Sequence, residues 1–568
     1  MSHTSQIFDR QPVKVQNLNG FDLSHLHMGT AKTGQLVPCL RKLLMQGSKI
    51  SVGAAVNVEL PPLATNFFGK IDFCIELFFC PCAVLYGGWK QFISNQVATM
   101  FPESQDSVLE SGGYALPVVR FGFIEVEQTP TKTAATTLAA GFQSINDGLS
   151  DYLGVRLGFD QSAGAINDDY IDITLLPYLA YHRIWDVFYR NASTTKTIFA
   201  VNPNTQYASG LNAKNVSLIW HSFFTEGTDS DAVSGTSGAV FMNESELEFP
   251  DGISVLETRQ RTYARDYFTA ASVDTQQGNP GTVTMSVDLS GEVELTVPAL
   301  RSIVALQRFG EHLNYDPTYR GIMKNLMGSS PSDAPLDEPS YIGRLVIPVY
   351  QKTVYNQSPA SGQASSGNPF SGELGNKGAS GSFTGQGSFC NKYRIGCFGY
   401  LMGIASLVPH AVYSQGIERE MMATKIGDYP FPDLQSVGMD GIYAAEIYAD
   451  DEFGKMKEEF AYLPRYSWMK YKCDTVSGEL RPGRSLDSFV LQRVFTEMPQ
   501  FGSDFVTIFQ NDLDGVFGTA VSVSNFSCWY EIYWEFKVVQ PLAAFCVPTL
   551  GELQDTHTIY TSQGGAKL

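Results

Sequence analysis

The chain has 568 residues, a formal net charge of −19 at pH 7, 43% hydrophobic and 12% aromatic residues, and a mean hydropathy of −0.08. That balance excludes a disordered chain, and the acidic sign argues against a dedicated nucleic-acid binder, because phosphate binding needs a basic surface. The nine cysteines are odd in number and show no metal-type spacing around Cys80 and Cys82 or Cys390 and Cys397, so they read as buried free thiols.

The opening stretch, MSHTSQIFDRQPVK, lacks the apolar core of a secretory signal. Residues 1–60 are expected to form a partly extended arm ahead of a single domain over 61–550. That domain is expected to carry large insertions near 100–170, 192–260 and 350–390, with a tail over 551–568. From 10 to 49 the chain has Arg10, Lys14, Lys32, Arg41, Lys42 and Lys49 against Asp22 alone. This is either a solvated arm or an inward arm on nucleic acid, with Arg10, Lys14, Arg41 and Lys42 as the contacts. The run FFGKIDFCIELFFCPCAVLY (67–86) predicts a strand buried on both faces. The most apolar stretches, 73–89 and 398–413, are not uniformly apolar enough to span a membrane.

Residues 112–172 combine turn signals with an acidic cluster. The clearest helix follows at 175–190, where Leu176, Leu179, Ala180, Ile184, Val187 and Phe188 recur at helical spacing. Thr174 is placed to cap it and Pro177 falls in its first turn, while His182, Arg183, Asp186 and Arg190 lie largely off the apolar stripe. Residues 200–250, rich in Asn, Ser, Thr and Gly, predict a surface excursion. A second helix is expected at 298–313, and the Gly/Ser-rich tract 356–389 predicts a flexible loop. Strands are expected at 282–297, 342–350 and 395–412. In WYEIYWEFKVV (529–539) strict alternation predicts one buried and one polar face. Strands separated by long loops favour an antiparallel sandwich over a βαβ fold.

Motifs for chemistry are few. No segment supplies a Walker A loop, a GxSxG elbow, an HExxH pair or an EF-hand. His25 and His27 would share a strand face, a pair that is ordinarily structural. The acidic run Asp428 to Glu459 reads as a solvated loop, with Asp450, Asp451 and Glu452 as weak candidates for a hard cation and a general acid/base pair as a further possibility. Residues 462–484 interleave aromatics with cations. Arg465, Lys470, Lys472 and Arg481 could line a single-strand DNA groove, and with Tyr466 and Trp468 the same segment could form a subunit interface.

Five phrases stand in fixed order: LPYLAYHRIWDVFYRN (175–191), RDYFTA (265–270), VPALRSIVALQRFGEHL (297–313), YSQGIERE (413–420) and YKCDTVSGELRPGRSLDSFVLQRVF (471–495). With FFCPCAVLYGGWKQF (78–92) they resemble the major capsid proteins of microviruses, nearest the gokushovirus-like branch. The resemblance covers most of the chain outside 100–170, 192–260 and 350–388. It implies a mainly β fold, an eight-stranded antiparallel jelly-roll sandwich with long loop insertions and a few short helices. It also implies a T=1 icosahedral shell of about 60 copies built through pentamers, assembled in the bacterial cytoplasm around circular single-stranded DNA. Partners implied are a small basic phage protein that helps neutralise the genome and a host receptor met by exposed loops. No enzymatic activity, cofactor or membrane insertion is implied.

Subunit contacts are expected on the two helices, at Tyr178, Tyr181, Trp185, Arg301 and Arg308. One feature departs from the branch: only residues 271–296 separate Ala270 from Val297, where gokushoviruses carry a large insertion that builds three-fold protrusions. A β-sandwich carbohydrate-active enzyme or glycan-binding protein, and a trimeric tail or spike protein, are the rival readings. The first predicts a secretory signal, the second fibrous repeats, and the sequence shows neither.

Overall fold

The computed structural model describes residues 18–61, 68–86, 89, 93, 118–122, 148–155, 170–195, 197–198, 253, 255, 257–273, 338–349, 351–355, 377–435, 438–449, 456–509 and 526–542. Its strands in chain order are β1 (Asn19–Asp22), β2 (His25–Ala31), β3 (Val37–Leu44), β4 (Lys49–Glu59), β5 (Ile71–Pro81), β6 (Val118–Gly122), β7 (Tyr170–Thr174), β8 (Ser340–Pro348), β9 (Gln351–Tyr355), β10 (Lys377–Arg394), β11 (Gly399–Pro409), β12 (Met439–Tyr443), β13 (Glu459–Pro464) and β14 (Cys528–Gln540). Short helices are α1 (Cys82–Leu85), α2 (Leu149–Tyr152), α3 (Leu176–Ile184), α4 (Ala444–Ile447) and α5 (Ser503–Val506).

Two antiparallel sheets face each other. One runs β2-β14-β4-β10, extended by β1 beside β14 and β9 beside β10, and the other runs β3-β11-β5-β8. Followed along the chain, β2, β4, β10 and β14 fall in the first sheet and β3, β5, β8 and β11 in the second. The chain therefore crosses between sheets at almost every step, and strands far apart in sequence lie side by side. That order is an eight-stranded jelly roll.

Alternation explains the sandwich. On β14, Tyr530, Ile532, Trp534, Phe536 and Val538 point inward and are buried, while Glu531, Tyr533 and Glu535 face out. On β4, Ile50, Val52, Ala54, Val56 and Val58 do the same. Each fully buried large side chain contributes about 1.5–3 kcal/mol, so this shared row dominates the core.

The second sheet is covered twice. Along β5, Phe73, Ile75, Leu77 and Phe79 join the sandwich core, and Phe78 and Cys80 pack outward against a second cluster built from α3. The expectation of a strand buried on both faces holds.

Several expectations are corrected. Residues 18–60 are not an arm: they supply β1 to β4 of both sheets. Residues 377–389, expected as part of a flexible loop, belong to the longest described strand, Lys377–Arg394, which pairs with β9 over 377–381 and with β4 over 382–394. The glycines there serve close packing. A Cβ at Gly385 would lie 2.7 Å from Ile347 and one at Gly387 would lie 2.6 Å from the Cδ1 of Leu345, so glycine at these positions lets the β8 side chains press on β10 without rearranging.

The helix at 175–190 is present as α3 followed by a π-helical turn over Trp185–Tyr189. Leu175, not Thr174, holds the cap position, although Thr174 Oγ1 accepts the Leu176 N–H at 3.4 Å. The helix expected at 298–313, the strand at 282–297 and the excursion at 200–250 lie outside the described residues. No helix among the described residues is long and apolar enough to cross a membrane.

Candidate assembly surfaces

Of the residues expected at subunit contacts, Tyr178 and Tyr181 are core, buried within one copy. Tyr178 donates to Ser150 Oγ at 3.1 Å. Tyr181 donates to the Leu36 carbonyl at 2.8 Å and accepts the Arg259 N–H at 2.7 Å. Their hydroxyls are satisfied internally, so they offer nothing to a neighbour. Trp185 is half-buried, donates to the Gln260 carbonyl at 3.0 Å and carries the Arg259 guanidinium 4.7 Å from its ring.

The polar side of the helix is also inside. His182 is fully buried, and burial together with Arg259 pushes its pKa well below the usual range. The neutral ring donates from Nε2 to the Val255 carbonyl at 2.9 Å and accepts Arg259 Nε at 3.1 Å on Nδ1. Asp186 accepts from Arg190 Nε at 2.8 Å, Thr197 Oγ1 at 2.6 Å and the Ile198 N–H at 3.2 Å. Arg301 and Arg308 lie outside the described residues.

An ionic cluster sits on the outer face of the second sheet. Glu76, on β5, accepts Tyr189 Oη at 2.5 Å and Arg261 Nη1 at 3.0 Å, with Arg344 Nε at 3.3 Å. Arg261 also donates to Ser406 Oγ at 2.9 Å. Burial alone would lower the Arg261 pKa, but Glu76 and Tyr189 raise it overall, while burial and Glu76 drive the Tyr189 hydroxyl well up. These groups border a groove of about 550 Å³ that also touches Asp72 and His410, which are paired at 2.8 Å.

Between β11 and β14 the chain builds a third unit from β12, β13, α4 and α5, packed around Phe268, Ile442, Ile447, Leu463 and Phe505. The Arg493 guanidinium organises it. It lies 4.5 Å from the ring centres of both Tyr263 and Phe505 and 5.3 Å from that of Phe495, and it donates to the Phe505 carbonyl at 2.9 Å.

A second anchor is Arg419, which donates to Glu446 at 2.7 Å, Asp440 at 3.2 Å and the Gly441 carbonyl at 3.0 Å. Glu446 is buried rather than solvated. Burial raises its pKa despite the Tyr443 N–H, Arg419 and Tyr267, which hold it down. Gly416 stands where a Cβ would be 1.8 Å from the Glu446 carbonyl oxygen, a backbone atom. Gly416→Ala is expected to destabilise by about 2–3 kcal/mol, the upper part of the overpacking range, and urea unfolding of the soluble subunit measures it.

Beside these anchors opens a cleft of about 200 Å³, walled by Tyr267, Phe268, Trp468, Tyr471 and Lys472. From its edge an excursion leaves the body over 417–435. In it Met421, Ile426, Tyr429, Phe431 and Leu434 are all exposed.

The segment 462–484 divides. Tyr466 is buried, in a left-handed conformation (φ 61°), with the Arg465 guanidinium 5.3 Å from its ring. Trp468 is half-buried at the cleft. Lys472 is exposed but bonded to Glu418 at 3.1 Å, and Lys470 and Arg481 are exposed. Arg41 and Lys42 are also exposed, at the end of edge strand β3.

Arg10, Lys14, Asp450, Asp451 and Glu452 lie outside the described residues. Among the described residues no three His, Cys, Asp or Glu groups converge as metal ligands. The eight described cysteines are free. Burial raises the pKa of the buried ones, Cys82 to about 12, which leaves them protonated and unreactive. Sequence reasoning missed Glu76, Arg419 and Arg493. Arg419 and Arg493 stand inside the phrases at 413–420 and 471–495, the one signal that marked them.

A jelly roll carrying large, apolar, outward-facing excursions is an architecture of viral shell and lectin domains. The comparisons decide between them. The family model described as Capsid protein (F protein) matches residues 151–550, and the chain belongs to that family. Capsid protein VP1 of Bdellovibrio phage phiMH2K is 21% identical over 530 residues, covering 89% of this chain and 90% of its own. Capsid protein VP1 of Chlamydia phage 1 is 21% identical over 624 residues, covering 96% of this chain and 97% of its own. The chain is a major capsid protein, a structural subunit of the virion shell.

Proposed function

We propose that the chain closes a T=1 icosahedral shell around circular single-stranded DNA. Assembly proceeds through pentamers in the cytoplasm of a bacterial host, and exposed loops meet the host receptor. The observation that carries the DNA reading is the position of Arg41 and Lys42. Both are exposed at one end of an edge strand, and neither has a carboxylate partner among the described residues. A wall built from chains of net charge −19 repels phosphate as a whole, so most neutralisation falls to another molecule. A small basic phage protein fits that need, with Arg41 and Lys42 as local contacts.

The paired change Arg41→Gln and Lys42→Gln tests the assignment. Particles are expected to form in normal number with less nucleic acid per particle, read from absorbance ratio and direct quantification. Unchanged nucleic-acid content would remove these two residues from the reading.

A further inference from the structure

We propose that the excursion 417–435 of one copy docks on the basic strip 468–486 of a second copy, and reciprocally, about a two-fold axis. The proposal rests on the capsid reading, since the occupant is a second copy of this chain.

The excursion exposes apolar side chains that no other described residue of its own chain covers. Met421 is 79% and Ile426 82% accessible, with Tyr429 at 56%. Several large apolar side chains exposed within one short segment are the kind of surface that marks an interface. Its backbone is nonetheless held in one shape. The Asp428 carboxylate accepts the Thr424 N–H at 3.0 Å and the Lys425 N–H at 2.9 Å, Tyr466 Oη accepts the Phe431 N–H at 3.3 Å, and Arg419 anchors the root. A pre-shaped segment loses little conformational freedom on docking.

Charge selects the partner surface. The outer part of the excursion exposes Glu420, Asp428 and Asp433 against Lys425 alone. The strip exposes Lys470, Lys472, Arg481 and Arg484 against Asp474 and Glu479, a net excess of positive charge, beside exposed Met469, Tyr471 and Leu486. Lys470, Arg481 and Arg484 have no carboxylate partner among the described residues. The two surfaces are both apolar and opposite in sign.

Within one copy they are also neighbours, joined by Lys472 to Glu418 at 3.1 Å, with Tyr466, just ahead of the strip, bonded to Phe431. Adjacent complementary patches suit a two-fold contact, because half a turn sets each excursion against the other copy's strip.

The test uses the full chain expressed in bacteria, with particles separated by sedimentation and their nucleic acid measured. One variant carries Lys470→Glu, Arg481→Glu and Arg484→Glu, a second carries Glu420→Lys and Asp433→Lys, and a third combines all five. Each partial reversal is expected to lower particle yield about tenfold, and the combined chain to recover most of it. Wild-type yield from both partial variants would overturn the proposal. So would a combined chain that stays unassembled. Normal yield of particles poor in nucleic acid from the first variant would overturn it in favour of a nucleic-acid surface. A wild-type chain that yields no particles would instead remove the assembly reading beneath it.

Discussion

Trp534→Ala is expected to lower the unfolding free energy of the subunit by about 3–5 kcal/mol, the range for emptying a buried aromatic site. Trp534 is fully buried on β14, stacked on Phe389 with ring centres 5.7 Å apart. It also fills the space above Gly403, where a Cβ would come 3.2 Å from its ring. The site sits where both sheets meet, so collapse around a cavity would have to move strands that are paired on both sides. Trp534 Nε1 is buried and has no hydrogen-bond partner among the described residues. Trp534→Phe removes that unsatisfied donor along with some volume, and is expected to cost less than about 1.5 kcal/mol. Urea unfolding of the soluble subunit, followed by circular dichroism, separates the two. Equal losses for Phe and Ala would mean the donor is satisfied in solution.

Glu76→Ala is expected to cost about 3–5 kcal/mol, because it leaves Arg261 largely buried with its charge unmatched and Tyr189 without an acceptor. Arg344 weighs less in this sum, since its side chain is 42% accessible and water screens it. Tyr189→Phe removes one hydrogen bond to a charged group and is expected to cost about 1.5–3 kcal/mol. Replacing Glu76, Arg261 and Tyr189 together by apolar residues of similar volume should recover most of the loss, since a buried ionic group is costly mainly when broken. A triple variant as unstable as Glu76→Ala would show that the cluster itself, not the orphaned charge, holds the sheet to the 261–265 segment.

What could be read from the sequence follows from how local its cause is. The row on β14 and the double burial of β5 are written in adjacent side chains, and both appear as read. The glycines of β10 look, in the sequence, like a flexible tract. Their reason lies in Leu345 and Ile347 on another strand, and no local pattern records that. His182 and Asp186 sit off the apolar stripe of α3 yet inside the protein. Their partners, Val255, Arg259, Thr197 and Ile198, arrive from chain folded over the helix.

Tyr178 and Tyr181 had the composition of an interface and the position of a core, and composition cannot tell these apart. The acidic run at 428–459 was read through its charges. Its exposed Met421, Ile426 and Tyr429 neighbours carry the stronger signal, visible only once the fold shows that no other described residue covers them.

The most direct test of the central claim is the mass of what the purified full-length chain forms, measured by light scattering with electron microscopy of the same sample. A T=1 shell of about 60 copies of a 62.4 kDa chain gives uniform particles of about 3.7 MDa. Closed shells of that mass are the predicted result. Folded protein that remains monomeric at every concentration, with and without the viral basic protein and single-stranded DNA, would contradict it.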